Sequence, residues 1–311
     1  MSLSDASVGA ELRIICGPTA AGKSAVAMRL AARHELEIVN ADSRQIYRGF
    51  DIGTAKPGAF DRASVPHHGI DVADPAERWS AARWAEDARQ SIATAGLDRT
   101  LVVGGTGFYL RALVTPLFMS PELDPVRRAE LDRQLRTLPT EELKRWVRTL
   151  DSPRAHLGRA QLVRAAEVAL LTGERLSDLQ RTAARPRAFR ARWLVVDPLG
   201  GLGAQIASRL DAMLGAGWVE EVRTLHSRVG PDAPAWQACG YVTVRALALG
   251  ELDDRPAREA IITATRQYAK RQRTWFRHQL RDAGERVTAV NPQDPECDAL
   301  VEDWWSSGDP A

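Results

Sequence analysis

Gly17-Pro18-Thr19-Ala20-Ala21-Gly22-Lys23-Ser24 follows the pattern G-x-x-x-x-G-K-[ST] of a phosphate-binding loop. In such a loop the glycines let backbone N–H groups curl around phosphate oxygens, the lysine adds a cation, and the hydroxyl can hold Mg²⁺. The flanking residues agree with that reading. Leu12-Arg13-Ile14-Ile15-Cys16 is a short apolar run suited to a buried parallel strand. From Lys23 to Arg33 the residues Val26, Ala27, Leu30 and Ala31 recur at helical spacing. Strand, loop and helix in that order aim a helix N-terminus at an anion.

The 311 residues are 44% hydrophobic and 26% charged with a net charge of +2, the profile of an ordinary water-soluble domain pair. No apolar run reaches the roughly 20 residues of a membrane span, and Met1 to Ala10 lacks a basic stretch followed by an apolar one. The three cysteines, Cys16, Cys239 and Cys297, lie far apart and lack metal-ligand spacing. A cytoplasmic protein, expected to be a monomer, follows from these features. The net charge does not declare a nucleic-acid binder, but its distribution is uneven. Between Thr265 and Arg281 there are six Lys or Arg and no Asp or Glu, with Tyr268, Trp275 and Phe276 interleaved. Such a helix face is either solvated charge or a surface for a phosphate backbone.

Along the chain, further strands are expected at Leu36 to Asn40 and Thr100 to Val103, separated by a Gly- and Pro-rich loop and by a helix from Ser80 to about Ala95. From Leu117 to Ala188 strand signals stop. Pro125 to Leu138, Thr140 to Leu150 and Gln161 to Leu171 read as helices. Arg192 to Asp197 restores a strand. Helices at Ala204 to Leu214, Trp218 to Ser227 and Arg258 to Phe276, a weak strand at Val287 to Val290 and a helix at Asp294 to Trp305 complete the chain. The expected class is α/β: a P-loop NTPase-like parallel sheet flanked by helices, with an all-helical insertion. The core would be residues 1–116 and 189–311, and the insertion 117–188.

A nucleotide hydrolase or kinase carries a carboxylate after a second apolar strand to help hold Mg²⁺. Here Thr100 to Val103 ends in Gly104-Gly105-Thr106-Gly107, without an acid, and no Asn-Lys-x-Asp run is present. The acid instead follows the strand at Leu36 to Asn40, as Asp42. It could support Mg²⁺, act as a base, or cap its own turn. Thr106 offers a hydroxyl where glycines allow close approach, which suits a leaving-group oxygen gaining charge.

Four blocks carry a resemblance: the loop itself, Ala41 to Pro57 (Ala-Asp-Ser-Arg-Gln-Ile-Tyr-Arg-Gly-Phe-Asp-Ile-Gly-Thr-Ala-Lys-Pro), Val103 to Tyr109 and Thr265 to Arg277. With them the chain resembles the bacterial tRNA dimethylallyltransferases. Pro66-His67-His68, Arg164 to Glu167 and Glu221-Val222-Arg223 fit the same family. The resemblance implies transfer of a dimethylallyl group from dimethylallyl diphosphate to N6 of adenosine 37 in tRNA, with release of diphosphate. Gly17, Thr19, Ala20, Ala21, Gly22, Lys23, Ser24 and Arg223 would bind diphosphate, Ser24 would ligate Mg²⁺, and Thr106 would donate to the leaving oxygen. Asp42 would take the proton from the exocyclic amine. Asp42, Ser43, Arg44, Gln45, Gln161, Arg164, Gly240, Tyr241, Lys270, Arg273 and Arg277 would contact the tRNA, whose anticodon stem-loop presents A36-A37-A38. The insertion would grip that stem-loop. The chain departs from the family's pattern at Val242, where Arg or Lys is common, and at Ala160-Gln161, where a Gln-Arg pair is common. Two other enzymes share a phosphate loop: an adenylate isopentenyltransferase acting on free AMP, ADP or ATP, and a small-molecule kinase. The helical insertion and the basic block at Thr265 to Arg281 argue against the first, and the missing acid after Val103 against the second.

Overall fold

The apolar run next to the loop forms the middle of the sheet. In the computed structural model, which describes residues 11–115, 117, 121, 123–182, 188–281 and 287–307, strand β1 (Glu11–Cys16) leads through the loop into helix α1 (Lys23–His34). Then come β2 (Glu37–Asn40), α2 (Ala59–Ser64), a two-residue β3 (His67–His68), α3 (Ala81–Ala95), β4 (Thr100–Gly104) and α4 (Gly107–Val114). Four helices follow: α5 (Pro125–Thr137), α6 (Thr140–Leu150), α7 (Arg159–Thr172) and α8 (Leu176–Thr182). The chain then forms β5 (Arg190–Val196), α9 (Leu202–Gly215), α10 (Trp218–His226), α11 (Tyr241–Ala248), α12 (Asp254–Arg281), β6 (Val287–Val290) and α13 (Cys297–Ser306).

The sheet runs β3-β2-β4-β1-β5-β6, with every pairing parallel. Leu12, Ile14, Ile15, Leu101, Val102 and Leu194 are fully buried, as a parallel sheet covered on both faces requires. The core joins this sheet to Val26, Ala27, Leu30 and Ala31 of α1, Ile206 of α9 and Trp304 and Trp305 of α13. The alternation of apolar residues therefore located the principal strands. It missed β3, two histidines that pair with Ile38 and Val39 at the edge, because two residues carry no period. It also missed the short α2, α4, α8 and α11.

By compactness the chain divides into Met1–Thr115 with Arg187–Ala311, and Pro116–Pro186. The second unit has its own small core of Leu135, Leu143, Val147, Leu162, Val163, Ala165 and Ala166. Helix α5 opens with Pro125 in its first turn and Asp124 as cap, the carboxylate accepting from Arg127 N at 2.8 Å. Among the described residues, no helix is long and apolar enough to cross a membrane.

Strand register is what assembles the site. Cys16 pairs with Gly104, and Asn40 with Val103. The three carboxyl ends therefore lie side by side, delivering Gly17, Gly105 and Ala41-Asp42 to one edge, where parallel sheets bind ligands. Two glycines make this approach possible. A Cβ on Gly104 would stand 2.2 Å from Ala41 O, and one on Gly17, at φ +145, 2.2 Å from Val196 O.

Candidate active site

Two cavities open along this edge, both within the sheet-bearing unit. The first, about 740 Å³, is lined by the loop from Ala20 to Ala25, by Asp51, Ile52 and Ala55 to Ala59, and by Arg62, Arg209, Ala212, Met213 and Ala216. Lys23 and Ser24 sit in the first turn of α1, after Gly22 in the left-handed conformation at φ 86. Lys23 Nζ donates to Pro18 O at 2.7 Å and, among the described residues, pairs with no carboxylate. Burial pushes this lysine down to about 8, with Asp42 pulling it back up and Arg209 adding to the fall. A lysine held without a counter-ion, beside a helix N-terminus, favours an incoming anion.

Arg209 lines this cavity and the next. Its one protein acceptor among the described residues is Thr54 O, at 3.5 Å. Burial lowers its pKa and Asp42 raises it. In the sequence Arg209 is only one more arginine on an amphipathic helix. Of the two arginines, Arg209 and not Arg223 lines these cavities. Arg223 lies on the outside of α10, half exposed and bound to Glu220 Oε2 at 2.9 Å, and lines neither cavity.

The second cavity, about 610 Å³, is lined by Thr19, Asp42, Ser43, Arg44, Thr106, Arg209, Trp236, Gly240, Val242, Tyr268 and Arg271, among others. Asp42 Oδ1 accepts from Arg44 N at 2.8 Å, so the carboxylate does cap its own turn. Oδ2 meets no protein donor among the described residues and remains available to a ligand. Thr106 Oγ1 accepts from Ser43 N at 3.0 Å and donates to Ser43 Oγ at 3.3 Å. The Tyr268 hydroxyl is driven up by burial and by Asp42. The Tyr268 ring and the guanidinium groups of Arg44 and Arg271 supply planar surfaces against which an unstacked base can lie.

Between the cavities runs the segment 51–58. Its N–H groups at Asp51 and Ile52 both donate to Glu221 Oε2, at 3.0 and 2.7 Å, while Glu221 Oε1 accepts from Tyr241 at 2.7 Å. A Cβ on Gly53 would lie 2.1 Å from Trp218 Nε1. Lys56 is nearly inaccessible and donates to Tyr47 O at 2.7 Å, Asp51 Oδ1 at 2.5 Å and Asp71 Oδ1 at 2.6 Å. Desolvation pushes Asp71 up, but Lys56 and Arg62 outweigh it and hold the carboxyl below its usual range.

Several residues expected at the RNA are otherwise engaged. Tyr241 is fully buried against Phe50, Trp218 and Trp236. Gly240 adopts φ 89, where a Cβ would lie 2.5 Å from Trp218 Cη2. Tyr241 is therefore a core residue, while the half-buried Gly240 reaches the second cavity. Gln45 Nε2 donates to Thr54 O and Ala55 O, both at 3.0 Å, bracing the 51–58 segment. Arg273 grips Asp197 with two nitrogens and Leu199 O at 2.8 Å. Arg164 pairs with Glu167 at 3.1 Å, a buried carboxylate that also meets Arg128 at 3.4 Å. Gln161 Oε1 accepts from Gly158 N at the start of α7. Lys270 and Arg277 remain exposed, and Ser43 and Arg44 line the second cavity. Within the loop, the N–H of Thr19 turns away from the first cavity to Gln272 Oε1, at 2.7 Å, and that of Ala21 to Pro18 O, at 3.3 Å.

Comparison with known proteins accords with this site. The family described as IPP transferase matches residues 45–279, and that described as Isopentenyl transferase matches 10–63, the loop and Asp42 included. The tRNA dimethylallyltransferase of Bordetella parapertussis is 44% identical, covering 86% of this chain and 90% of that protein. Its counterpart in Halorhodospira halophila is 43% identical, over 92% and 96%. The crystal structure of the tRNA isopentenylpyrophosphate transferase from Bacillus halodurans matches with a TM-score of 0.66 at 29% identity, covering 94% of each chain. A eukaryotic dimethylallyltransferase acting on tRNA shares the fold, with a TM-score of 0.76 at 22% identity over 92% of this chain and 75% of that one. With the family match spanning most of its length, the chain belongs to the IPP transferase family, and its curated relatives are tRNA dimethylallyltransferases.

Proposed function

We propose that this protein is a tRNA dimethylallyltransferase that moves the dimethylallyl group from dimethylallyl diphosphate to N6 of adenosine 37, in tRNAs whose anticodon loop carries A36-A37-A38. The observation that carries this reading is the pair of cavities that share Arg209, one holding a lysine with no ionic partner and the other an aspartate oxygen with no donor, among the described residues. A donor anion and a base amine are thereby brought to opposite sides of one guanidinium.

The diphosphate lies in the first cavity, against Lys23, Arg209 and the first-turn N–H groups of α1. The adenine enters the second, between aromatic and guanidinium faces, after leaving its stack. The N6 nitrogen attacks the allylic carbon. The C–O bond to diphosphate breaks as the C–N bond forms, and the N6 proton passes to Asp42 Oδ2. Thr106 steadies the Ser43 backbone beside Asp42, and by rotating toward the ligand its hydroxyl can donate to the departing oxygen. Holding both reactants in line removes most of the entropic barrier.

Ser24 would hold Mg²⁺. Its hydroxyl is exposed and lines the first cavity, and among the described residues no cluster of three His, Cys, Asp or Glu side chains forms a cage. That donor set fits an ion that keeps its waters and takes most ligands from substrate phosphates. When bound, Mg²⁺ offsets negative charge on the leaving diphosphate. Exposed Lys270 and Arg277 offer positive charge to the anticodon stem. The protein acts as a cytoplasmic monomer.

The test is a single-turnover assay with dimethylallyl diphosphate and the stem-loop, with AMP as a competing acceptor. Prenylated adenosine in the stem-loop is the expected product. Its absence, or preferential prenylation of AMP, overturns the assignment. Asp42→Ala lowers the transfer rate at least about 10²-fold, the low end for a general base, and leaves pyrophosphate binding intact. A full rate in that variant removes Asp42 from the chemistry.

A further inference from the structure

The loop and the glycine turn were read from the sequence as separate features, yet one side chain ties them together. Gln272 is buried on the inner face of α12, between Ala269 and Phe276. Its Oε1 accepts from Thr19 N at 2.7 Å, and its Nε2 donates to Gly105 O at 2.8 Å. The amide orientation is fixed by its partners, since a peptide N–H needs an acceptor and a carbonyl needs a donor. Neither a carboxylate nor an amine of that length serves both ends.

The surroundings are built around this contact. A Cβ on Gly105 would come within 2.5 Å of Gln272 Nε2, and one on Gly107 within 2.2 Å of Trp275 Cε3, so both glycines let α12 settle on the turn. Thr19 and Thr106, the residues the amide controls on either side, both line the cavity that holds Asp42. Lys23 Nζ grips Pro18 O, the carbonyl of the same peptide whose N–H, that of Thr19, binds Gln272.

We infer that Gln272 is a positioning residue, a strut that fixes the spacing between the donor loop and the Thr106 turn and so aligns the leaving group with Asp42. The inference deepens the prenyl-transfer reading and rests on it. Gln272 touches neither substrate; it acts through Thr19 and Gly105. The same helix presents Lys270, Arg271 and Arg277 outward, so the strut is separable from RNA attraction.

The test uses Gln272→Met, which keeps the length and removes both hydrogen bonds. It is measured alone and with Gly105→Ala, whose methyl displaces the same amide. In prenyl transfer with dimethylallyl diphosphate and the stem-loop, Gln272→Met lowers kcat about 10²-fold, the order expected for a misplacement near 1 Å. The stem-loop Kd stays within about twofold. In calorimetry with inorganic pyrophosphate alone, its Kd weakens about tenfold. Gly105→Ala gives a similar loss, and the double variant falls no more than about threefold below Gln272→Met, because both changes break one contact. A kcat within about twofold of wild type, losses that multiply in the double variant, or a defect confined to stem-loop Kd would each overturn the strut. Wild-type turnover in the same assay keeps the two readings apart. No product from wild type removes the prenyl-transfer assignment, whereas product from wild type with unaltered variants removes the strut alone.

Discussion

Two lysines line the same cavity and do opposite work. Lys23, in the loop from Gly17 to Ser24, donates to one carbonyl and has no carboxylate partner among the described residues. Lys56, in the segment 51–58, is bound by two carboxylates and a carbonyl and is nearly inaccessible. The first is a cation kept unneutralised, at the cost of a lowered pKa, so that an incoming anion completes its shell. The second is already complete and fastens a wall. The loop motif already singles out Lys23, whereas the partners that close Lys56 come from the fold.

Breaking the comparison at Lys23 has the largest effect. Lys23→Met lowers kcat/KM for dimethylallyl diphosphate about 10²- to 10³-fold, the range for loss of one preorganised donor to a developing anion, with little change in urea stability. Lys56→Met reverses the pattern. It leaves Asp71 with Arg62 as its partner and costs about 2 kcal/mol in urea unfolding, the order for losing hydrogen bonds to a charged group, with activity lost chiefly by unfolding. If both variants lose activity alike at full stability, the two lysines do not differ as described.

A smaller effect sharpens the contrast through pH. Lys23 in the free protein titrates near 8, below the ordinary lysine value. It is charged below that pH and neutral above it, so pyrophosphate affinity is full on the acid side and falls as pH climbs through 8. Calorimetry between pH 7 and 9 reads this as a loss of up to about tenfold per unit, and the slope attributable to Lys23 disappears in Lys23→Met. The smallest effect is at Arg223. Arg223→Ala changes donor KM by less than about twofold, as for an exposed pair within one helix, whereas Arg209→Ala approaches the loss at Lys23. A large effect at Arg223 in steady-state assays would return the role to it.

The legibility of the site followed the range of the interactions. The loop, the strands beside it and the carboxylate of Asp42 were legible because each is a local pattern of apolar spacing, glycine placement or a residue at a strand end. The segment Asp51 to Pro57 could be recognised as a distinctive block, but not as a wall pinned by Glu221 from α10. The basic block at Thr265 to Arg281 was legible as charge at helical spacing. Spacing alone did not separate Arg273, locked onto Asp197 some seventy residues back in the chain, from Lys270 and Arg277, which face solvent. Tyr241 reads as a polar aromatic beside a glycine, and burial among Phe50, Trp218 and Trp236 makes it core.

By itself, then, the sequence determined a parallel sheet with a phosphate loop after its first strand and an acid after its second, because apolar period and glycine placement are written in adjacent residues. Only the tertiary structure decided which cations are free. Neutralisation depends on partners brought from distant elements: Arg209 lines both cavities while Arg223 pairs with Glu220, Lys56 is closed by Asp51 and Asp71, and a glutamine on the long helix α12 reaches both the loop and the Thr106 turn.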